Sequence, residues 1–238
     1  MTTPLEYQLD GQIYRGQLAK PTGAGPFPGV LVMHDGQGVG PFVCARAEAL
    51  ARLGYIALAA DMFGEGKQPK DGDGASTVIA LRKQGELLRS RVLAGYEALC
   101  AVPEVKRERI GAIGYCFGGQ CVLELARSSA EAKAVVSFHG TLGTLIPAKP
   151  GAVKAKMLVL TGALDPYAPA EDRAAFEREM TEAGADWQMT IYSSAKHGFT
   201  DPIADQMRDK MPGVGYDRLI DRLSWAQATS FLDLLLRA

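Results

Sequence analysis

The sequence has almost no excess charge and no long apolar run. Its 26 lysines and arginines nearly balance 27 aspartates and glutamates, so the net charge is -1. A chain this close to neutral gives no electrostatic reason to bind nucleic acid or an anionic membrane surface. No apolar stretch approaches the roughly 20 residues that a membrane-spanning helix needs. We therefore expect neither a nucleic-acid partner nor insertion into a membrane.

Cysteine is also scarce, and its spacing does not suggest a metal site. The four cysteines lie at positions 44, 100, 116 and 121, without a C-x-x-C pair. No His, Cys or Glu cluster has metal-ligand spacing, and no G-x-G-x-x-G opens a helix in a dinucleotide context. The first residues lack the pattern of a signal peptide, which predicts a cytoplasmic protein with free thiols. We expect no metal and no cofactor.

Strand and helix patterns alternate along the chain, and a hydrophobic content of 47% suffices for a large core. Asp10-Gly11 between two alternating apolar runs predicts an N-terminal β-hairpin. Continuous apolar runs predict buried strands at 29–33, 55–60, 110–113, 134–138, 157–160 and 187–192. This alternation predicts one α/β domain over residues 1–238, with a mostly parallel central sheet and helices on both faces.

Helical apolar spacing fills the intervals between the strands. It predicts helices over 43–53, 120–126, 169–182 and 218–236, and one long helix from Ser76 or Thr77 to about Cys100. Residues 201–216 are polar and contain glycine and proline, so we expect a loop with little regular structure there. Cys44, Cys100 and Cys121 fall in apolar helical patterns and are expected to pack in the core.

The segment from Gly114 to Gly118 reads Gly-Tyr-Cys-Phe-Gly, between a strand pattern and a helix pattern. A strand that turns into a helix within five residues needs a tight corner, and flanking glycines leave room for it. The pattern is that of a nucleophile elbow with cysteine in place of serine. The alternative is a free cysteine in a glycine-rich turn, because so short a match occurs often by chance.

Ligands of such sheets bind beyond the carboxyl ends of the strands, so the polar residues that follow each apolar run are the candidates. Cys116, Asp165 and His197 follow three different runs, in the chain order nucleophile, acid, histidine. A histidine can accept the thiol proton and return it to a leaving group, while an aspartate fixes the imidazole tautomer. Singly, Asp165 could merely start a turn before Pro166, and His197 could be a loop histidine.

Motifs at residues 114–119 (GYCFGG), 162–165 (GALD) and 195–199 (AKHGF) resemble those of the dienelactone hydrolase family of α/β-hydrolases. Segments 34–38 (HDGQG) and 138–140 (FHG) are similar to further family motifs. The resemblance spans nearly the whole chain and implies an α/β-hydrolase fold. It also implies that Cys116 is the nucleophile, His197 the base and Asp165 its orienting partner. The implied oxyanion hole is the backbone N–H of Phe117 and that of Gly36.

Two departures from the family pattern affect the remaining candidates. Asp35 stands where the family usually has a glutamate that holds the resting thiol, so it is either a nucleophile helper or a turn-stabilising carboxylate. Family members that open dienelactone use two arginines, one soon after the catalytic histidine. Residues 198–201 contain none. Arg82, near the start of the predicted long helix, is available for the other, and the alternative is that it only solvates the outer face of that helix. His34 and His139 either orient loops or contact substrate.

The sequence therefore predicts a cofactor-free hydrolase of a small ester or lactone that works through an acyl-enzyme on Cys116. A general carboxylesterase without a lactone role is an alternative, favoured by the missing arginine. A non-catalytic or redox-sensing scaffold is another alternative. The expected partner is a small-molecule substrate, and a homodimer is possible.

Overall fold

The computed structural model describes residues 1–69, 73–207 and 209–237. The strands are β1 (Thr2–Leu9), β2 (Gln12–Ala19), β3 (Phe27–Met33), β4 (Ile56–Ala60), β5 (Val105–Tyr115), β6 (Ala134–Phe138), β7 (Lys156–Gly162) and β8 (Trp187–Tyr192). The helices are α1 (Pro41–Arg52), α2 (Asp73–Arg82), α3 (Gly85–Cys100), α4 (Phe117–Arg127), α5 (Ala170–Glu182) and α6 (Arg218–Leu236).

All eight strands form one sheet in the order β1-β2-β4-β3-β5-β6-β7-β8. Strands β3 to β8 pair in parallel, while β1 and β2 pair antiparallel with each other and β2 pairs antiparallel with β4. Asp10 and Gly11 connect β1 to β2 with positive φ angles of 48° and 78°, as a tight hairpin turn requires. The predicted parallel sheet and N-terminal hairpin are both confirmed.

The sheet is buried on both faces, as its continuous apolar strands predict. In β3, Leu31 and Met33 face one core, which also contains apolar residues of α3, α4 and α5. Val30 and Val32 face the other core, which contains apolar residues of α1 and α6. Alternate side chains of one strand thus serve two cores, because successive residues point to opposite faces.

The prediction of a single long helix between residues 76 and 100 is wrong. Helix α2 begins at Asp73 and ends at Arg82, and α3 begins at Gly85. The amide of Gln84 donates to the carbonyl of Leu81 (2.9 Å), which closes the last turn of α2. A Cβ on Gly85 would lie 3.2 Å from Leu145, so a neighbouring loop packs where the helix breaks. The apolar spacing runs on across the break and gives no sign of it.

The expectation of an irregular loop over 201–216 is only partly right. Pro202–Met207 forms a 3-10 helix, and residue 208 lies outside the described residues. Residues 213–217, which we call the strap, run beside residues 197–199. His197 N–H donates to Gly213 O (2.9 Å), and Gly215 N–H donates to His197 O (3.0 Å). Local sequence does not reveal this ladder, because its partners are about 16 residues apart.

The other predicted elements are present, with differences at their ends. Strand β5 starts earlier than expected because Val105 and Lys106 pair with Phe27 and Pro28, across a shift in register. Helix α5 ends before Gly184, whose φ of +67° suits a helix C-terminus. Cys44, Cys100 and Cys121 all lie on helices as free thiols, and only Cys44 is partly exposed.

The N-terminus of α6 provides a test of the link between the strap and the last helix. The Asp217 carboxylate accepts hydrogen bonds from the amides of Leu219 and Ile220, both at 3.0 Å. We expect Asp217→Ala to lower the free energy of unfolding by about 1 kcal/mol, since two amides lose their acceptor. Urea denaturation measures the change. Asp217→Asn keeps an acceptor and should lose less; equal stability of all three proteins would contradict the capping role.

Candidate active site

The candidate residues lie at one edge of the sheet. Strands β3, β5, β6, β7 and β8 are parallel, so the loops after their carboxyl ends meet on the same side. Those loops carry the predicted site residues His34, Cys116, His139, Asp165 and His197. The topology therefore gathers residues that are far apart in the chain.

Cys116 occupies the corner between β5 and α4, with φ 54° and ψ -112°. A positive φ is unfavourable for a residue with a side chain, so the surrounding packing must hold it. A Cβ on Gly114 would lie 2.0 Å from Gly118 O, and one on Gly118 would lie 2.1 Å from Met33 O. The two glycines are thus required for α4 to approach β3 and β5. The corner has the conformation of a nucleophile elbow.

The side chains of Cys116, His197 and Asp165 form one hydrogen-bonded chain. The distance from Cys116 Sγ to His197 Nε2 is 3.0 Å, and from His197 Nδ1 to Asp165 Oδ2 it is 2.9 Å. Asp165 Oδ1 accepts the amide of Tyr167 (2.8 Å), which fixes the carboxylate. His197 and Asp165 are buried, whereas Cys116 is partly exposed. The three predicted residues are therefore brought together, with the sulfur at the accessible end.

The surroundings of His197 favour its protonated form. Burial alone would lower the pKa of the imidazole. Negative charge on Cys116 and the hydrogen bond to Asp165 outweigh it and raise the pKa of His197 to about 10. Beside an ionised Cys116 the imidazole is therefore protonated, and its positive charge lies next to the sulfur. This is the state that stabilises a cysteine thiolate.

His139 is buried behind this group and holds the elbow. Its Nδ1 accepts the amide of Cys116 (3.1 Å), so Nε2 carries the proton and donates to Thr200 Oγ1 (2.8 Å). Burial and the positive charge of His197 hold the pKa of His139 well below its usual value. The ring is therefore neutral and joins the backbone of Cys116 to the loop after His197. These contacts fit the loop-orienting alternative of the sequence analysis.

His34 holds the loop after β3 in a similar way. Its Nε2 accepts the amide of Met62 (3.1 Å), so Nδ1 donates to the carbonyl oxygen of Asp35 (2.5 Å). The Asp35–Gly36 peptide bond is trans, so its N–H points opposite to this carbonyl, away from the His34 ring. A Cβ on Gly74 would lie 1.9 Å from Gly36 O, so α2 confines the same loop from the other side.

Phe117 follows Cys116 at the elbow, and Gly36 lies in the loop after β3. Phe117 is the first residue of α4, so its N–H has no carbonyl partner within the helix. The positive end of the helix dipole lies at the same point, which favours negative charge there. These two N–H groups are the ones that the sequence analysis assigned to an oxyanion hole.

The Asp35 carboxylate stabilises its own turn. Its Oδ1 accepts the amide of Gln37 (2.8 Å), and none of its described contacts is with Cys116. Burial raises the pKa of Asp35 to about 6; the Gln37 amide opposes the shift and the charge of Asp201 adds to it. Two further groups that can carry charge, Asp201 and His197, thus lie close enough to Asp35 to affect its pKa.

Arg82 ends α2 and reaches toward the first turn of α4. Its Nε donates to Gln120 Oε1 (2.7 Å) and its terminal nitrogen donates to Thr141 Oγ1 (2.6 Å). Both acceptors are neutral, and the described residues include no carboxylate paired with Arg82. Within the described residues, the half-buried guanidinium is therefore not paired with a negative charge.

Sequence reasoning missed three residues that shape this site. The Tyr167 ring lies edge-on to His197, with centroids 4.7 Å apart, and is 38% exposed. The Thr200 hydroxyl is hydrogen-bonded to the His139 ring, and the Gly213 carbonyl accepts the backbone amide of His197. Tyr167 could have been noticed, because it follows Asp165 by two residues. Thr200 and Gly213 carry no local signal, since only the tertiary fold brings them to the site.

Asp61 directly follows the apolar run 55–60, and this position predicts a carboxylate that caps the next loop. Its buried carboxylate accepts the amides of Phe63, Gly64, Gly66 and Arg15 at 2.7–3.0 Å. The loop-capping prediction is confirmed. The ordered loop places the Phe63 ring against Phe117, with centroids 6.1 Å apart.

The described part of the chain contains no group of three or more histidine, cysteine, aspartate or glutamate side chains that could hold a metal ion. Within residues 1–69, 73–207 and 209–237, every helix is too short or too polar to span a bilayer.

Comparison with known proteins identifies the relatives of this fold and site. The sequence profile described as the Dienelactone hydrolase family matches residues 14–236. The chain belongs to the dienelactone hydrolase family. A relative in this family from Synechocystis sp., provisionally named a carboxymethylenebutenolidase, is 30% identical over 203 residues, which are 77% of this chain and 80% of its own.

Solved structures of dienelactone hydrolase-like proteins agree with the match. One is the promiscuous phosphotriesterase P91 from metagenomic libraries, 33% identical, with a TM-score of 0.91 over 99% of this chain and 98% of its own. Another, m3DLH, is 35% identical, with a TM-score of 0.93 over the same shares of the two chains. The predicted family, the α/β-hydrolase fold and the assignment as an ester- or lactone-type hydrolase are confirmed.

The protonation state of His197 can be measured directly. A pKa near 10 predicts a doubly protonated ring at pH 8, whereas the lowered pKa values of His34 and His139 predict neutral rings. Nitrogen-15 NMR of histidine-labelled protein distinguishes these states, and the chain has only these 3 histidines. In Cys116→Ala we expect the pKa of His197 to fall, because the negative charge is removed. A wild-type His197 that titrates near 6.5 would contradict the ion pair.

Proposed function

We propose that the protein hydrolyses small carboxylic esters or lactones through a covalent acyl-enzyme on Cys116. The observation that carries the proposal is the chain of contacts from Cys116 Sγ to His197 Nε2 (3.0 Å) and from His197 Nδ1 to Asp165 Oδ2 (2.9 Å). The sulfur sits on a strained corner at the sheet edge, open to a substrate. One domain, spanning residues 1–238, is proposed to carry the whole reaction.

In the first half-reaction the Cys116 thiolate attacks the carbonyl carbon of the ester. The new C–S bond places negative charge on the former carbonyl oxygen, which the N–H groups of Phe117 and Gly36 would stabilise. Collapse of this intermediate breaks the C–O bond of the ester. The His197 imidazolium gives its Nε2 proton to the departing alkoxide, so an alcohol leaves and a thioester remains.

In the second half-reaction water attacks the thioester. Neutral His197 accepts a proton from the water at Nε2, and the oxyanion again forms against the two N–H groups. The C–S bond breaks, the carboxylic acid departs, and the thiolate–imidazolium pair is restored. With a lactone the alcohol stays tethered to the acyl group, so the product is one hydroxy acid.

A thiolate nucleophile restricts the substrates that this cycle can use. Thiolate is a better leaving group than an ordinary alkoxide, so the tetrahedral intermediate tends to expel sulfur again. Esters with activated leaving groups, such as enol esters and strained lactones, avoid this return. The name of the Synechocystis relative points to the same chemistry in that protein. We therefore propose enol esters and lactones as the preferred class.

Removing the sulfur tests the nucleophile. We expect Cys116→Ala to lower kcat for p-nitrophenyl acetate and for a panel of lactones by at least about 1,000-fold. Cys44→Ala, which removes another partly exposed thiol, is the matched control and should keep wild-type rates. Mass spectrometry of quenched wild type should show one added acyl group on Cys116. Equal rates of hydrolysis by wild type and Cys116→Ala would contradict the proposal.

The lactone panel also separates the proposed function from a general carboxylesterase. Segment 198–201 lacks the arginine that the family's dienelactone-opening members place after the catalytic histidine. A protein that hydrolyses simple aryl esters but no lactone would be a carboxylesterase, with the same three residues at work. Activity on both classes supports the proposal as stated.

Arg82 is proposed to bind an anionic substituent of the substrate. Among the described residues, its guanidinium donates hydrogen bonds to the neutral side chains of Gln120 and Thr141 and forms no ion pair that a substrate carboxylate would have to displace. Gln120 lies on the first turn of α4, and its amide donates to the Cys116 carbonyl (3.3 Å). The charge therefore contacts the side chain of a residue that is one helical turn from Cys116.

A pair of matched esters tests this role. We expect Arg82→Met to raise KM for mono-p-nitrophenyl succinate about tenfold, because a charge-assisted hydrogen bond is lost. KM for its uncharged methyl ester should change little. Lys83→Met removes an adjacent, exposed positive charge and serves as the control. Equal changes for both esters would show that Arg82 only supports the fold.

A further inference from the structure

The strap connects the last helix to the loop that carries His197. Besides the two hydrogen bonds of His197, the amide of Asp217 donates to the carbonyl of Phe199 (3.1 Å). His197 and Val214 form a parallel β-bridge, and Val214 is buried. The backbone of the base is thus fixed by the strap on both sides of its Cα atom.

Gly213 also contacts the loop that carries the acid. A Cβ on Gly213 would lie 2.6 Å from Cγ and 2.7 Å from Cδ of Pro166, the residue after Asp165. Carbon atoms in contact are normally about 3.5–4.0 Å apart. The backbone of Gly213 therefore lies too close to the Pro166 ring for any side chain at position 213. The ring of Pro166 cannot rotate away, because the proline φ is fixed.

Pro166 lies inside the turn that orients the carboxylate of Asp165. Asp165 Oδ1 accepts the amide of Tyr167, and Asp165 Oδ2 bonds His197 Nδ1. A displacement of Pro166 would tilt this turn and with it the carboxylate. A displacement of Gly213 would instead pull its carbonyl from the His197 amide. In both cases the geometry of the Asp165–His197 hydrogen bond changes.

We infer that Gly213 is a positioning residue that sets the distance between Asp165 and His197. It holds the backbone of the base through its carbonyl, and the absence of a side chain lets the acid's turn pack against it. The inference rests on the proposed function of the pair, although its spectroscopic test does not require a known substrate.

The first variant adds a single methyl group. We expect Gly213→Ala to lower kcat about tenfold to a hundredfold, because a misplacement near 1 Å has effects of this size. KM should change by less than about threefold, since no proposed substrate contact is altered. Gly143→Ala is the control, as Gly143 is exposed and a Cβ there meets nothing within 4 Å.

The second variant makes room for that methyl group. Pro166→Ala removes Cγ and Cδ and leaves a Cβ that is 3.6 Å from the added methyl position, an ordinary contact. In this background Gly213→Ala should cost less than about threefold in kcat, which a double-mutant cycle reports as coupling. If the single variant does not fold, the double variant and Pro166→Ala alone still give this comparison, and a loss above about tenfold overturns the inference.

NMR supplies a readout that a general loss of stability would not move. The bond to Asp165 helps to raise the pKa of His197, so the pKa should fall in Gly213→Ala and recover in the double variant. The same loss of kcat in both backgrounds, or no loss at all, overturns the inference. Failure of the proposed function looks different, because wild type would then hydrolyse esters no faster than Cys116→Ala.

Discussion

The close approach of α4 to the sheet is the constraint on which the site depends. Gly118 packs against the Met33 carbonyl and Gly119 against Gly140, with separations that leave no space for a side chain. Helix α4 can then start immediately after β5, and Cys116 is forced into a left-handed conformation. The position of Cys116, the N–H of Phe117 and the end of the helix dipole all follow from this one approach. A larger residue at any of these glycines would push α4 away from the sheet.

Electrostatics makes the three histidines different. His34 and His139 are buried with lone pairs that accept backbone amides, and burial lowers the pKa of each. His197 is as deeply placed but lies between Cys116 and Asp165, and its pKa rises to about 10. Two neutral rings therefore hold the loops, while one charged ring faces the sulfur. The charged partner, more than burial, distinguishes the candidate base from its neighbours.

Much of the fold and of the candidate site could be predicted from the sequence, because both depend on local residue patterns. Apolar runs marked the strands, and the polar residues after them included Cys116, Asp165 and His197. The break between α2 and α3 was missed, because loop packing at Gly85 ends the helix without disturbing the apolar spacing. Thr200 and the strap were missed for a related reason. Their partners are distant in sequence and are chosen by the tertiary fold.

The strap has a consequence for the order in which the protein is made. Cys116 and Asp165 precede it by about 50 to 100 residues, yet the backbone of His197 is paired only when residues 213–217 are in place. Asp217 then caps α6, so the same segment starts the final helix. During synthesis His197 is therefore the last of these three residues to be fixed. A chain arrested before residue 213 would contain Cys116, Asp165 and His197 and would still lack the segment that fixes the backbone of His197.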